Sequence, residues 1–367
     1  MMHSVAHDSY ARPHARTGGV DVQSKRESGC SVGPPGEPVT SVGLVLGAGG
    51  VVGQAYHAGV LAALDAELGW DPRSADLIVG TSAGSITGTL LRLGVSPSDL
   101  AALATGSPLS PEGAPLVERI QPNSADLPSP PPMDWFRPWR PPSAALLARL
   151  ARRPWGFRPE VAAMTMLPKG KIDLTDRAAP LHAMVGDDWP DGLWICAVRR
   201  DDGARVVFGR PGSPRAPLAA AVLASCAIPA YFAPVTIGGT EYFDGGVHSP
   251  TNSDVLRTQR PDIVVVSSPM SCDRPPLGAP DALFRWSAHR RLEHEARRLE
   301  KAGCVVVRIE PGASSREAMG LNPMSDHRSH HVVAAAIEET ARLVAEGRIP
   351  RLGARADRMS AQTSRGG

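Results

Sequence analysis

Residues 42–84 read VGLVLGAGGVVGQAYHAGVLAALDAELGWDPRSADLIVGTSAG and decide the fold. Val42–Leu46 is a short, continuous apolar run, the pattern of a strand that is buried on both faces of a sheet. A helix is predicted over about Gln54–Gly69, because apolar residues share one face and Gly69 suits the residue after the C-cap. Asp76–Val79 repeats the strand pattern and leads into a helix that ends near Leu93. This alternation predicts a βαβ unit, and hence a parallel sheet.

The same alternation returns in the second half of the chain. Further strands are predicted at Leu193–Val198, Arg205–Phe208, Asp262–Val266 and Cys304–Ile309, and further helices at Pro217–Cys226, about Asp281–Ala302 and His331–Glu346. The predicted fold class is therefore α/β, a three-layer α/β/α domain with a mainly parallel central sheet. We expect this domain to span residues 41–348.

Three segments differ from the domain in composition. Residues 1–40 are rich in Ser, Gly, Pro and charge, and the tail at 349–367 is similar, so both are predicted to be disordered. Residues 105–175 are expected to form a lid-like insertion rather than a separate domain. The insertion holds many Pro residues and the aromatic residues Trp135, Phe136, Trp139, Trp155 and Phe157. Within it, residues 144–153 fit a short basic amphipathic helix.

The composition excludes several classes of protein. Lys and Arg number 39 against 37 Asp and Glu, a net charge of +2, which argues against a nucleic-acid partner. The sequence holds no apolar run of about 18 residues, and its first 40 residues lack the apolar core of a secretory signal. The five Cys lack the spacing of a zinc site or a disulfide framework. The expectation is a soluble cytoplasmic protein.

The Gly-rich turn GAGGVVG, Gly47–Gly53, lies between the first strand and the first helix. Such a turn exposes successive backbone N–H groups at a helix N-terminus and can hold an anion or an oxyanion. A dinucleotide-binding turn looks similar, but that class needs an acidic residue at the end of the second strand, where Val79 and Gly80 stand instead. A turn kept only for tight packing is the alternative without function.

The segment GTSAG, Gly80–Gly84, places Ser82 between the second strand and the second helix. In a nucleophile elbow the flanking Gly residues allow a sharp turn, and the serine meets the field of the helix N-terminus. We expect Gly84→Val to abolish activity and to leave the rest of the fold largely intact. A plain N-cap serine is the structural alternative.

A third motif, Asp244-Gly245-Gly246, follows a short strand. Two Gly residues after a carboxylate permit close approach to another loop, although Asp-Gly is also an ordinary turn signal. The order of the three motifs, with YHAGVLAAL at Tyr56–Leu64 and ASCAIPAYFAPV at Ala224–Val235, resembles the patatin-like phospholipase family. The resemblance runs from about Val42 to Pro250, and the Pro-rich insertion is its least typical part.

The resemblance implies a serine acyl hydrolase that cleaves the carboxylic esters of lipids with a Ser–Asp dyad. Ser82 would be the nucleophile and Asp244 the base, and the backbone N–H groups of Gly49, Gly50 and Val51 would form the oxyanion hole. No metal or organic cofactor is expected. The family commonly carries Arg or Lys just before the last Gly of the loop, and here Val52 occupies that position. The spacing of the loop is also one residue longer, so "acyl hydrolase" is a safer prediction than "phospholipase".

Several histidines could in principle complete a Ser-His-Asp triad: His57, His182, His248, His327, His330 and His331. The α/β-hydrolase order of Ser, Asp and His would fit the late ones. The serine elbow here follows only one preceding strand, however, whereas that fold places several strands before it. We therefore expect His57 to be a packed or partly exposed residue, and His330 and His331 to begin the last helix without a catalytic role.

The insertion has two interpretations. In the first, an apolar rim over the site is formed by Trp135, Phe136, Trp139, Trp155, Leu146, Leu147 and Leu150. Arg149, Arg152 and Arg153 would then meet anionic lipid, which gives peripheral membrane contact through residues 130–158. Alternatively, the insertion packs on its own small cluster. Two other functions stay open at this point: a catalytically idle lipid-binding relative, and a nicotinamide-nucleotide oxidoreductase. The sequence does not fix the oligomeric state.

Overall fold

The structure is a computed structural model, which describes residues 40–120, 139–152, 158–174, 182, 188–276 and 278–352. The chain separates into two units, Met1–Pro38 and Val39–Gly367, and the described residues lie in the second. The predicted tail at 1–40 therefore falls almost entirely outside the described residues, as does 353–367 of the other tail. So do Trp135, Phe136, Arg153, Trp155 and Phe157 of the insertion.

The elements alternate as the sequence predicts. The strands are β1 (Val42–Leu46), β2 (Leu77–Thr81), β3 (Leu193–Arg199), β4 (Arg205–Phe208), β5 (Val235–Ile237), β6 (Thr240–Asp244), β7 (Ile263–Ser267) and β8 (Val305–Ile309). The helices are α1 (Gly50–Leu68), α2 (Ala83–Arg92), α3 (Pro97–Thr105), α4 (Gly113–Ile120), α5 (Ala144–Arg152), α6 (Pro159–Met166), α7 (Leu218–Cys226), α8 (Ala282–Glu300), α9 (Ala313–Met319) and α10 (Ser329–Ala345).

The strands form one sheet, with hydrogen-bonded neighbours in the sequence β5-β6-β3-β2-β1-β7-β8; β4 pairs with one edge of β3, and β2 and β6 pair with successive parts of its other edge. Neighbours from β3 through β2, β1 and β7 to β8 are parallel. Strands β4 and β6 pair antiparallel with β3, and β5 pairs antiparallel with β6. The predicted mainly parallel sheet is confirmed, and the carboxyl ends of its parallel strands meet at one edge.

Apolar side chains alternate between the two faces of the sheet and form a core on each. Leu46 of β1 belongs to a cluster with Leu61 of α1 and Val332 of α10. Its neighbour Val45 points the other way and belongs to a cluster with Leu292 of α8. Since successive strand residues face opposite sides, helices cover both faces. The three-layer α/β/α architecture is confirmed.

Two boundaries differ from the prediction. Helix α1 begins at Gly50 rather than near Gln54, because the amide of Val52 finds an acceptor in the Pro323 carbonyl (3.2 Å) and the first turn can close early. The packed chain also extends past residue 348, since Ile349 and Leu352 are only 5% and 6% exposed. Apolar packing at these two residues moves the end of the domain into the predicted tail.

Several short elements were not predicted: α3, α4, α6, α9 and β5. Two of them, α4 and α6, lie in the insertion. Over the described ranges, no helix is both long and apolar enough to cross a bilayer. The described cysteines, Cys196, Cys226, Cys272 and Cys304, are free thiols.

Candidate active site

Ser82 occupies a sharp turn between β2 and α2. Its backbone has φ 52° and ψ −120°, a left-handed conformation that is costly for a residue with a side chain. The turn requires glycine on both sides: a Cβ on Gly80 would lie 2.5 Å from the Cα of Ser85, and one on Gly84 would lie 2.0 Å from the Leu46 carbonyl oxygen. Ser82 makes no side-chain cap hydrogen bond to α2, so it is not a plain N-cap serine.

Asp244 reaches Ser82 because two strands meet end to end along β3. Strand β4 occupies one edge of β3, so β2 and β6 share the other. Strand β2 ends with Thr81 opposite Cys196, and β6 runs in the opposite direction and ends with Asp244 opposite Ala197, the next residue of β3. The end of β6 therefore brings the carboxylate to the serine elbow, although the two residues are far apart in sequence.

The Asp244 side chain is buried, with 5% exposure. Burial raises the pKa of Asp244 to about 6, and hydrogen bonds from the Gly246 amide and with the Ser82 side chain oppose that rise. The Gly246 N–H donates to Asp244 Oδ1 at 2.7 Å. Gly245 is needed for the close approach, since a Cβ there would lie 2.3 Å from the Cys196 carbonyl oxygen. A carboxyl with such a pKa is ionised above pH 6 and can still accept a proton.

The Gly-rich turn presents three amide groups in sequence. The amides of Gly47 and Ala48 donate to the carbonyls of Ser267 and Pro250, at 3.0 and 2.8 Å. Those of Gly49, Gly50 and Val51 have no acceptor among the described residues. They lie at the N-terminus of α1, with Gly49 as N-cap, where the helix field favours negative charge. This arrangement can hold an anion or an oxyanion.

The three motifs converge in space. The amide of Gly84 donates to the Gly47 carbonyl at 3.1 Å, which ties the serine elbow to the Gly-rich turn. A Cβ on Gly246 would lie 3.3 Å from the Cβ of Ala48, so the Asp-Gly-Gly segment packs against the same turn. A Cβ on Gly53 would lie 3.6 Å from that of Ala83. Every motif glycine of the prediction thus lies at this one junction.

Two residues of the segment Ala224–Val235, Ser225 and Cys226, lie beside the serine elbow, although the sequence analysis assigned them no role. Ser225 accepts a hydrogen bond from the Ser82 amide at 2.9 Å and donates to the Cys196 carbonyl at 2.7 Å. Cys226 is partly buried near Ser82 and Asp244, and desolvation raises its pKa to about 12, so the thiol stays neutral. The ASCAIP segment was the available signal, but only the structure relates it to the serine.

The histidines in the described ranges do not complete a triad with Asp244. The groups that shift the pKa of Asp244 are Gly246 and Ser82, and no described histidine is among them. His57 is fully buried and bonded through both ring nitrogens, to Ser267 and to the Gly47 carbonyl, so of the two expected states, packed or partly exposed, it is the packed one. Burial and the nearby Arg205 lower the pKa of His248 to about 2. The rings of His330 and His331 lie against each other at the start of α10.

The described part of the insertion packs against the protein near the same edge of the sheet. Arg149 of α5 donates to the Asp202 carbonyl at 2.7 Å, in the turn between β3 and β4, and Leu146 is buried. Leu146 therefore cannot belong to an exposed rim. Trp139 and Leu147 remain half-exposed, at 50% and 52%. The exposed Trp139 and Leu147 are compatible with a membrane-facing rim, whereas the buried Leu146 and the bonded Arg149 are compatible with an insertion that packs on the protein.

Comparison with known proteins identifies the family. The model of the family "Patatin-like phospholipase" matches residues 44–257, more than half of the 367-residue chain. No curated protein sequence matches significantly. Among solved structures, VipD from Legionella pneumophila is 12% identical, with a TM-score of 0.38 over 84% of this chain and 67% of that one.

Two further similar structures contain ExoU. The type III effector protein ExoU is 14% identical, with a TM-score of 0.36 over 85% of this chain and 54% of that one. The ExoU–SpcU complex from the type III secretion system of Pseudomonas aeruginosa gives 18% identity and a TM-score of 0.33 over 85% and 52%. This chain spans about half the length of those ExoU chains, and the TM-scores carry no weight of their own. From the family match, the chain belongs to the patatin-like phospholipase family.

Proposed function

We propose that this chain is a serine acyl hydrolase that cleaves lipid esters through Ser82 and Asp244, with the amides of Gly49, Gly50 and Val51 as the oxyanion hole. Lipid acyl hydrolase activity in general is the activity that the family supports. The observation that carries the residue assignment is the end-to-end meeting of β2 and β6, which brings a strained serine to a buried carboxylate.

The reaction then follows in two half-reactions. Ser82 Oγ attacks the ester carbonyl carbon while its proton passes to the Asp244 carboxylate, and the carbonyl oxygen gains the negative charge. Collapse of this intermediate expels the alcohol, which takes the proton from Asp244 and leaves an acyl-serine. Water then attacks the acyl-serine, with its proton passing to Asp244, and the released Ser82 oxygen takes that proton back as the fatty acid leaves.

The free amides supply the stabilisation of the oxyanion. Backbone N–H groups that are already fixed at the N-terminus of α1 need not reorganise when the charge develops, and one such donor is typically worth about 10²–10³ in rate. The pKa of about 6 at Asp244 supports its role as base, since the carboxylate is ionised at neutral pH and is a better proton acceptor than an exposed aspartate.

The test is hydrolysis of p-nitrophenyl butyrate and octanoate, together with labelling by a fluorophosphonate. We expect Ser82→Ala to lose both hydrolysis and labelling, and Asp244→Asn to lose hydrolysis. Matched controls are the exposed residues Ser98→Ala and Asp188→Asn, which should keep full activity. Activity that survives in a folded Ser82→Ala variant would refute the assignment, and a wild type that is never labelled would leave a catalytically idle lipid-binding relative.

Peripheral membrane contact through the insertion is part of the same proposal. The exposed side chains of Trp139 and Leu147 support it, whereas the buried Leu146 and the bonded Arg149 support packing of α5 on the protein. Sedimentation with anionic liposomes tests the choice. Trp139→Ala combined with Leu147→Ser should weaken binding and leave the hydrolysis of a soluble ester in place, and unchanged sedimentation would refute the contact.

A further inference from the structure

A cavity of about 170 Å³ lies beside the Gly-rich turn, on the side of β7. Its walls include Gly49 and Val52 of the turn, together with Met270 after β7 and Met319 at the end of α9. Most of this wall comes from residues after position 257, beyond the part of the chain that matches the family. The cavity therefore shares Gly49 with the proposed oxyanion hole but is built largely from residues outside the range that matches the family.

The two charged residues of the wall are already paired. Arg285 forms an ion pair with Asp281 at 2.5 Å and donates to the Pro269 carbonyl at 2.9 Å. The third guanidinium nitrogen of Arg285 contacts the Met319 sulfur at 3.9 Å. Asp281 and Arg285 thus neutralise each other within the wall. The surfaces left to a ligand are those of Met, Val, Phe, Leu and Pro side chains.

Val52 contributes to this apolar character. It occupies the position where the family resemblance leads us to expect Arg or Lys, and its side chain is buried at 3% exposure. A cation at this position would be buried without a free counter-ion in the wall, because the Asp281 carboxylate is already paired with the Arg285 guanidinium. Valine therefore turns a site suited to an anionic group into one suited to hydrocarbon.

The cavity opens to solvent through apolar side chains. Phe284 of α8 and Leu321, which follows α9, both line it and are 53% and 66% exposed. Exposed apolar groups around an apolar cavity are typical of a binding site for an apolar ligand.

We propose that this cavity holds the acyl chain of the substrate and limits it to a short to medium length. The proposal rests on the proposed function: an ester oxygen held by the amides of Gly49, Gly50 and Val51 would lie beside Gly49, the residue that the turn shares with the cavity wall, and the acyl chain would enter the cavity from there. A protein cavity of about 150 Å³ accepts benzene, so this volume suits a chain of about six carbons.

The experiment measures kcat/KM for p-nitrophenyl esters with acyl chains of two to twelve carbons. The wild type should prefer about six carbons. Val52→Phe, which narrows the cavity, should lower the ratio of hexanoate to acetate by about tenfold or more. Met319→Ala, which enlarges it, should move the preference to longer chains. Leu321→Trp at the mouth provides a second narrowing variant in case Val52→Phe does not fold.

The control is Val305→Phe at the amino end of β8, whereas the cavity lies beyond the carboxyl end of β7. The Val305 side chain is 55% exposed, and the profile of this variant should match the wild type. A second series holds the acyl group constant as acetate and varies the alcohol. If only this series responds to the variants, the cavity holds the alcohol and the proposal is wrong. Acyl profiles that are identical in all variants would also overturn it, while leaving the hydrolase intact.

A wild type without any hydrolysis would refute the proposed function and not yet the cavity. Calorimetric titration of Ser82→Ala with sodium hexanoate then decides. Binding that Val52→Phe in the same background abolishes would support the acyl site, and absence of binding would overturn it.

Discussion

His57 links the first helix to the Gly-rich turn: its Nε2 lies 2.8 Å from the Gly47 carbonyl oxygen, and its Nδ1 lies 2.8 Å from Ser267 Oγ. A carbonyl oxygen can only accept, so Nε2 carries the proton and Nδ1 accepts from the Ser267 hydroxyl. Burial lowers the pKa of His57 to about 4, which keeps the ring neutral near pH 7. The imidazole therefore fixes the start of the turn whose later amides form the proposed oxyanion hole.

The first prediction concerns this link. His57→Ala should lower kcat by up to about 10²-fold with a smaller change in KM. Without the histidine the oxyanion-hole amides are displaced, and this weakens their hydrogen bonds to the transition state more than those to the bound ester. His57→Gln keeps one N–H donor and should recover part of the loss. Steady-state kinetics on p-nitrophenyl butyrate, corrected for the folded fraction, measure both. Equal and unchanged kcat values in the two variants would show that the histidine has no positioning role.

The second prediction is the pH dependence of activity. Since the pKa of Asp244 is raised to about 6 by burial, the rate should fall on acidification with an apparent pKa near 6. An ordinary histidine would titrate in the same range, and His248 lies four residues from Asp244, so the control is the His248→Gln variant. Because burial and nearby arginines lower the pKa of His248 to about 2, this variant should keep the same acidic limb. Loss of that limb in His248→Gln would assign the proton transfer to the histidine instead.

The third prediction is the effect of Asp244 on stability. Its pKa is about 6 in the folded chain and about 3.9 when unfolded, so the folded state binds more protons in between, and the free energy of unfolding falls as pH rises through this window. Asp244→Asn should therefore be more stable than the wild type at pH 8, by up to about 3 kcal/mol, with the difference shrinking toward pH 4. Urea unfolding at both pH values measures it, and a pH-independent difference would contradict the raised pKa.

Much of this site could be predicted from the sequence, because its motifs are local. The apolar runs of β1 and β2, the glycines around Ser82 and the Asp-Gly-Gly turn each depend on the conformation of a few neighbouring residues. Their order along the chain was enough to indicate the family, which the family match confirms. The roles of Ser82 and Asp244 stay a prediction until they are measured.

The rest depends on contacts between distant parts of the chain. The early start of α1 at Gly50 depends on the carbonyl of Pro323, and the support of the Ser82 amide comes from Ser225. Because β4 pairs with one edge of β3, β2 and β6 both pair with the other edge and meet there end to end. None of these relationships has a local signal, because each is set by packing rather than by periodicity.

The fourth prediction tests a buried carboxyl behind the site. Glu295 is buried, and one of its oxygens accepts from Thr251 Oγ1 at 2.7 Å and from both the amide and hydroxyl of Ser253, at 2.9 and 3.0 Å. This segment includes Pro250, whose carbonyl accepts from the Ala48 amide. Glu295→Ala would leave three donors unsatisfied and should cost about 3 kcal/mol or more, whereas Glu295→Gln keeps an acceptor oxygen and should cost about 1 kcal/mol or less. Urea unfolding compares them, and equal losses would rule out the acceptor role.

The fifth prediction separates two glycines of the site that look alike in the sequence. A Cβ on Gly84 would lie 2.0 Å from the Leu46 carbonyl oxygen, which belongs to the backbone of the central strand β1 and cannot move aside. A Cβ on Gly53 would meet Pro269 at 3.5 Å, an ordinary contact, and this residue lies inside α1, where alanine is favoured over glycine by about 1 kcal/mol. Gly84→Ala should therefore lose both activity and thermal stability, so the sequence-based expectation that Gly84→Val spares the rest of the fold needs revision. Gly53→Ala should unfold at the wild-type temperature or above it and keep its esterase activity. A Gly84→Ala variant with wild-type melting and activity would show that the elbow is not in close contact with β1. The described packing of Ser82 beside Asp244 would then be wrong.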